Sequence, residues 1–173
     1  KYKSIVWLAF MIAFFNQLSG INFILYYAPE ILERAGLAAK ESLFNSIAIG
    51  GTNLVFTFVG LYLIDKAGRK TLLIIGSLGY ILSLSLVAWA FYSHASPGFL
   101  LIFLLLFIAA HAIGQGAVIW VFISEIFPNK IRAMGQSFGA SIHWVFAALI
   151  TLLTPIFLDK DKGILKDDPW KIF

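Results

Sequence analysis

Cysteine is absent from the 173 residues. That excludes a disulfide framework and any thiolate metal site, and it leaves the redox compartment without a marker. Charge is scarce as well. Only 13% of residues are Asp, Glu, Lys or Arg, where a soluble domain carries about 25%. Strict apolar–polar alternation is missing from the apolar stretches, which argues against an outer-membrane barrel. No low-complexity tract, tandem repeat or soluble domain interrupts the chain. The first apolar stretch lacks a small-residue cleavage site and is too long for a signal peptide.

What remains is apolar: 60% hydrophobic residues and a mean hydropathy of +0.88. A helix needs about 20 apolar residues to cross a bilayer core of about 30 Å. Five stretches meet that requirement, at roughly 4–26, 43–64, 71–92, 99–123 and 134–158. The expected fold class is all-α, a polytopic membrane bundle of five spans in a lipid bilayer. The net charge of +4 does not point to nucleic acid, because the basic residues sit in short loops between spans. One set of ends holds Lys1, Lys3, Lys66, Arg69, Lys70, Lys130 and Arg132; the other interior loops hold Arg34 and Lys40. The positive-inside rule then places the N-terminus in the cytoplasm of a multi-pass cell-membrane protein. The tail interleaves Lys160, Lys162, Lys166 and Lys171 with Asp159, Asp161, Asp167 and Asp168. It ends on Pro169-Trp170-Lys171-Ile172-Phe173, which reads as the approach to a further span, so a fragment of a longer protein is expected. Between the first two spans, Pro29-Glu30 reads as the start of a short interfacial helix.

Polar residues inside the spans are the informative ones, since each is costly in hydrocarbon without a partner or a cavity. Gln17 and Asn22 lie about 140° apart on an ideal helix, and Gly20 between them permits a break. Two readings fit: amides turned into one cavity, where they suit vicinal hydroxyls, or hydrogen bonds between helices. Tyr26 and Tyr27 follow, either as an interfacial belt or as a gate. Gly116 and Trp120 share a helix face as i and i+4, forming a slot beside a ring. Core packing accounts for the tryptophan equally well. His143-Trp144 lies in the fifth span. His111 has Gln115 one turn on, and both histidines read first as hydrogen-bonded structural groups. Without Cys or a nearby carboxylate they make a poor metal site, and no cofactor is implied. No nucleophile–base spacing declares an enzyme. At the basic ends, Asp65 and Glu125 face Arg69 and Arg132 across Gly68 and Pro128 turns, an arrangement suited to carboxylate–guanidinium pairs. Exposed pairs of that kind contribute only about 0–1 kcal/mol each.

Three ordered blocks carry a resemblance: Gln17-Leu18-Ser19-Gly20-Ile21-Asn22 with Tyr26-Tyr27, Asp65-x-x-Gly68-Arg69-Lys70, and Ser124-Glu125-Ile126-Phe127-Pro128 with Arg132. Together the chain resembles the sugar porter family of the major facilitator superfamily, as helices seven to eleven of twelve. The resemblance implies alternating-access transport of a monosaccharide, hexose or pentose, by proton symport or facilitative uniport. A sugar-sensing receptor on the same scaffold is the alternative. It implies sugar contacts from Gln17, Asn22, Asn53, Gly116, Trp120, His143 and Trp144, an external gate at Tyr26 and Tyr27, and a cytoplasmic charge network of Asp65, Arg69, Glu125 and Arg132. The partners it implies are the sugar, protons in symporting members, and an N-terminal half that holds the titrating carboxylate. The chain departs from the family pattern at Asn16 (a second Gln is usual), at Ala117 and Ile119 (prolines are frequent), at His143 (Gln or Asn) and at Ala147 (Asn).

Overall fold

The computed structural model describes residues 2–159, 162–165 and 168–173. Lys1, Lys160, Asp161, Lys166 and Asp167, counted above among the terminal charges, lie outside them. Helix dominates: α1 (Lys3–Leu18), α2 (Ile21–Arg34), α3 (Ala39–Ala67), α4 (Arg69–Tyr92), α5 (Pro97–His111), α6 (Val118–Ile126) and α7 (Arg132–Leu158). A π-helical turn at Ala112–Gly116 joins α5 to α6, and 3-10 turns occupy Asn129–Ile131 and Pro169–Ile172. Joined end to end, these elements form five rods long and apolar enough to cross a membrane, namely Lys3–Arg34, Ala39–Ala67, Arg69–Tyr92, Pro97–Ile126 and Asn129–Leu158.

The rods run further than hydropathy alone indicates. Residues 28–42 are mostly helical. Within α2, Tyr27 (φ −107°, ψ 15°) leaves helical geometry, so two helical segments meet there at a kink and Pro29 stands in the first turn of the second, as the Pro29-Glu30 pair indicates. Proline has no N–H to offer the carbonyl four residues back, here Leu25, so a kink just before it is the expected response.

Gly20 makes the break between α1 and α2. Its φ of +78° lies in the left-handed region, which costs a residue with a Cβ more than it costs glycine. The end of α1 closes on itself through Gly20 N–H to the Gln17 carbonyl (3.0 Å) and the Ser19 hydroxyl to the Asn16 carbonyl (2.6 Å). The chain therefore stays within one membrane-crossing path while its side chains change direction.

The π-helical turn is held by close backbone crossings. Gly114 and Gly76 of α4 meet so tightly that a Cβ on Gly76 would fall 2.5 Å from the Gly114 Cα, and a Cβ on Gly60 of α3 would fall 3.0 Å from the Ile113 carbonyl oxygen. Small residues permit such approaches in membrane bundles, where packing rather than water expulsion drives association. Gly76→Ala is expected to cost about 1–3 kcal/mol through overpacking, read as a lower unfolding temperature of the full-length protein in detergent. Gly50→Ala is the control, because nothing lies within 4 Å of its added Cβ. Equal unfolding temperatures for the two variants would remove the crossing as a structural determinant.

The core is thin and divides into separate clusters. Ile24, Ile31, Leu32, Leu104, Phe107 and Ile108 pack α2 against α5. Ala9 and Ala13 of α1 meet Ile119 and Ile123 of α6, with Phe127 beside them. Outward, Phe44, Ile47, Phe58, Leu78 and Leu152 stand 64–73% exposed. So large an apolar surface suits hydrocarbon contact and would be a liability in water.

Candidate functional site

Gln17 is the hub of the interior polar cluster. It is 0% exposed, at the last turn of α1. Its amide nitrogen lies 2.9 Å from His143 Nδ1 and 2.8 Å from His143 Nε2. Its amide oxygen accepts a hydrogen bond from Asn22 Nδ2 at 3.0 Å. Asn16 Oδ1 lies 3.5 Å from the same Gln17 nitrogen. The Gly20 break thus brings together two amides that a straight helix would hold about 140° apart. To accept from Gln17, one imidazole nitrogen of His143 must carry a free lone pair, and the tautomer decides which of the two it is.

Aromatic rings flank the imidazole. The Trp120 ring lies 4.7 Å from it, centroid to centroid, at 60°; Trp144 lies 5.3 Å away at 78°. Trp144 is 58% exposed, while Trp120, His143, Asn22 and Asn53 are each partly buried. Gly116 ends the π-helical turn and faces α3: a Cβ there would meet Thr57 Oγ1 at 3.9 Å. Thr57 donates to the Asn53 carbonyl at 2.7 Å. Gln17, Asn22, Trp120, His143 and Trp144 therefore form one chain of contacts, and Gly116 and Asn53 a second joined through Thr57.

Three cavities of the bundle border this cluster only at its edge or not at all. A cavity of about 500 Å³ is lined by Tyr2, Lys3, Trp7 and Phe138, one of about 220 Å³ by Gly20, Phe23 and Thr154, and one of about 200 Å³ by Asn16, Ser77 and Gln115. The Gln17 amide is committed to protein partners on both its nitrogen and its oxygen. Contact with a solute has to come through Asn22, His143, Trp120 or Asn53, or through their displacement.

The remaining residues separate by position. Tyr26 is 61% exposed. Tyr27, at the α2 distortion, donates its hydroxyl to the Thr151 carbonyl at 3.2 Å, which ties α2 to α7. At the opposite end of the bundle Arg69 is a three-way clasp. Nη1 meets Asp65 Oδ1 at 2.8 Å, Nη2 meets Glu125 Oε1 at 3.0 Å, and Nη1 also caps the Ile64 carbonyl at 3.1 Å. Gly68 at φ +84° turns α3 into α4 so that Arg69 folds back over the helix it has just left. Arg132 stands apart: it is exposed at the first position of α7 and makes no ion pair among the described residues. The 3-10 turn at Asn129–Ile131 sets the start of α7 without bringing its guanidinium to Glu125.

Gln115 and His111 do not pair either. Within the π-helical turn the i, i+4 register is lost. Gln115 instead donates to Ser77 Oγ at 2.8 Å and to the Leu73 carbonyl at 3.4 Å, both on α4. His111 Nε2 is left buried without a partner among the described residues, beside the Tyr80 and Phe107 rings.

Comparison with known proteins gives this geometry a context. The family described as "Sugar (and other) transporter" matches residues 1–168. A D-xylose-proton symporter of Escherichia coli (strain K12) is 36% identical over 155 residues, covering 90% of this chain and 31% of that protein. A glucose facilitated diffusion protein of Zymomonas mobilis is 33% identical over 150 residues, covering 87% of this chain and 32% of that protein. The crystal structure of a D-xylose-proton symporter superposes with a TM-score of 0.84 at 31% identity, over 97% of this chain and 40% of that one. The chain spans about a third of the length of the curated relatives it matches. With the family match running along nearly all of its residues, the chain belongs to the sugar porter family of the major facilitator superfamily.

Proposed function

We propose that this chain forms helices seven to eleven of a twelve-helix transporter that moves a monosaccharide, a hexose or a pentose, by alternating access. The observation that carries the reading is the Gln17–Asn22–His143 hydrogen-bonded cluster at a broken helix, with the Trp120 ring beside it. Discontinuous helices with polar groups near mid-depth are where secondary transporters bind solutes. Amides exchange water for sugar hydroxyls at a net gain of only about 0.5–1.5 kcal/mol each. That suits a site that must release on the far side. An indole face accepts the apolar C–H side of a pyranose. The facing wall of the site belongs to the N-terminal half.

The Arg69 end is the cytoplasmic one in this reading, and Tyr26 and Tyr27 belong to the external gate. No covalent chemistry is required. The relatives named above include a proton symporter and a facilitated diffusion protein, which supports either mode for the whole protein.

The test is uptake of labelled xylose and glucose by the full-length protein in proteoliposomes. Saturable uptake, competed by unlabelled sugar, is expected for at least one of the two. Acceleration by an imposed proton gradient assigns symport, and indifference to it assigns uniport. Saturable sugar binding with no vectorial uptake would reassign the protein as a sensor. Absence of both binding and uptake for pentoses and hexoses would overturn the substrate class.

A further inference from the structure

The Gln17 cluster has a polarity. Each amide in it has one donating end and one accepting end. Gln17 turns Nε2 to His143 and Oε1 to Asn22 Nδ2. Asn16 Oδ1, 3.5 Å from the same Gln17 nitrogen, favours that orientation. The Asn22 nitrogen is thereby engaged, and no hydrogen bond among the described residues reaches its Oδ1. An oxygen is the end that Asn22 keeps for a solute.

The far end of this relay is an imidazole. Gln17 Nε2 is nearly equidistant from the two ring nitrogens, at 2.9 and 2.8 Å. A neutral ring keeps one lone pair, so either tautomer can accept; a protonated ring donates from both nitrogens and accepts at neither. Gln17 then has to turn over and offer Oε1 to the ring. That sets its Nε2 against Asn22 Nδ2, donor against donor. Asn22 turns over as well, and its outward end becomes an N–H. Protonation at His143 thus reverses two amides in sequence.

The surroundings decide which state a sugar prefers. His143 is half-buried. The ring centroids of Trp120 and Trp144 lie 4.7 and 5.3 Å from it, within the roughly 6 Å over which an indole attracts a cation. The helix α7 packs against α1, α2, α6 and the 3-10 turn before it. Their ionisable groups are Lys3 on α1, Tyr26, Tyr27, Glu30, Glu33 and Arg34 on α2, Glu125 on α6 and Lys130 in the turn; α7 itself adds Arg132. His143 makes its hydrogen bonds to Gln17, and to no charged group among the described residues. His111 of α5 stands close enough for the two rings to repel when charged, so charging one opposes charging the other. A sugar settling on Trp120 covers the half-buried imidazole and removes its water. Removing water from an unpaired charge is costly, whereas a neutral ring loses little. The sugar-bound site therefore favours the neutral ring.

We propose, on the sugar reading above, that His143 is a positioning residue that sets the polarity of the Gln17–Asn22 pair, and that its protonation reverses the pair and weakens sugar binding. Linkage then requires sugar binding to release a fraction of a proton. The sign is opposite to the joint binding of proton and sugar that symport needs, so His143 acts as a brake in acid rather than as a coupling group.

The test is calorimetric titration of xylose and of glucose into the full-length protein in detergent, from about pH 5 to about pH 7.5, in paired buffers of different ionisation heat. Affinity is expected to fall about 3–10-fold toward the acid end, and the buffer pairs to show proton release on binding there. His143→Gln has no ring to charge. Whatever affinity it retains, the acid fall and the proton release that His143 supplies should be gone. His143→Lys offers donors alone and should bind more weakly than His143→Gln across the range. A ring that only packs gives another pattern: the variants lose affinity by one factor at every pH, and the profile keeps its shape. That pattern overturns the role of His143, as does an acid fall that survives His143→Gln and disappears in His111→Gln. Sugar binding that is flat with pH in the unaltered protein also overturns it and leaves the sugar reading standing. No binding of either sugar at any pH removes the sugar reading and the role of His143 with it.

Discussion

Gln17→Ala in the full-length protein is expected to weaken monosaccharide binding by about 10–100-fold, at 1.4 kcal/mol per tenfold. The physical reason is not a lost direct contact, because Gln17 is wholly buried. Truncation leaves the Asn22 amide and a His143 nitrogen without the partners that orient them. An unpaired buried polar group costs about 1–3 kcal/mol, and both groups regain freedom at the proposed sugar site. A purely structural Gln17 gives a different pattern: the unfolding temperature falls and sugar affinity stays the same. A double-mutant cycle with His143→Ala distinguishes the two. Residues acting as one hydrogen-bonded unit couple by about 0.5–3 kcal/mol, so the second substitution should cost little after the first. Full additivity in sugar affinity would dissolve the unit. His143→Gln, which keeps one donor and one acceptor on a flexible stem, is expected to recover more binding than His143→Ala.

The parts legible from sequence are those set by composition and by charge sign. Five rods follow from hydropathy because an unbroken apolar run, without the alternation of a barrel strand, satisfies its backbone in hydrocarbon as helix. The meeting of Gln17 with Asn22 follows from Gly20, since a glycine between two polar residues on opposite faces permits the turn that unites them. The pairing of Arg69 with Asp65 and Glu125 follows from helix direction and opposite charge. Register was not legible where the helix departs from 3.6 residues per turn. The π-helical turn at Ala112–Gly116 moves Gln115 from His111 to Ser77, and the only sequence trace is the Gly114-Gln115-Gly116 triplet. The Gly76–Gly114 crossing left just its two glycines as a signal. Pro29 gave the restart of helix after the Tyr27 kink, but not that the two segments share one rod. Arg132 misled because a short turn fixes the reach of a long side chain, and charge sign alone does not report reach.

Arg69→Ala is the second large effect, and it is expected in conformational balance rather than in stability. The side chain joins Asp65 of α3 and Glu125 of α6 and caps the Ile64 carbonyl. Asp65 and Glu125 are 80% and 47% exposed, so solvent screens the pairs and each contributes little to global stability. Global unfolding should move little. An alternating-access protein, however, divides between states separated by only a few kcal/mol. Even a small loss from one state therefore shifts the ratio several-fold. If the clasp holds the cytoplasmic end closed, Arg69→Ala should raise the labelling rate of a cysteine introduced at that end by about 3–10-fold. Arg132→Ala should change it far less, because Arg132 makes no ion pair among the described residues. High salt should mimic Arg69→Ala in the unaltered protein and have little further effect on the variant, since screening acts on the same exposed pairs. Equal labelling of Arg69→Ala and the unaltered protein would reduce the clasp to a local helix cap. A larger effect from Arg132 than from Arg69 would move the latch to a contact made only in another state of the transport cycle.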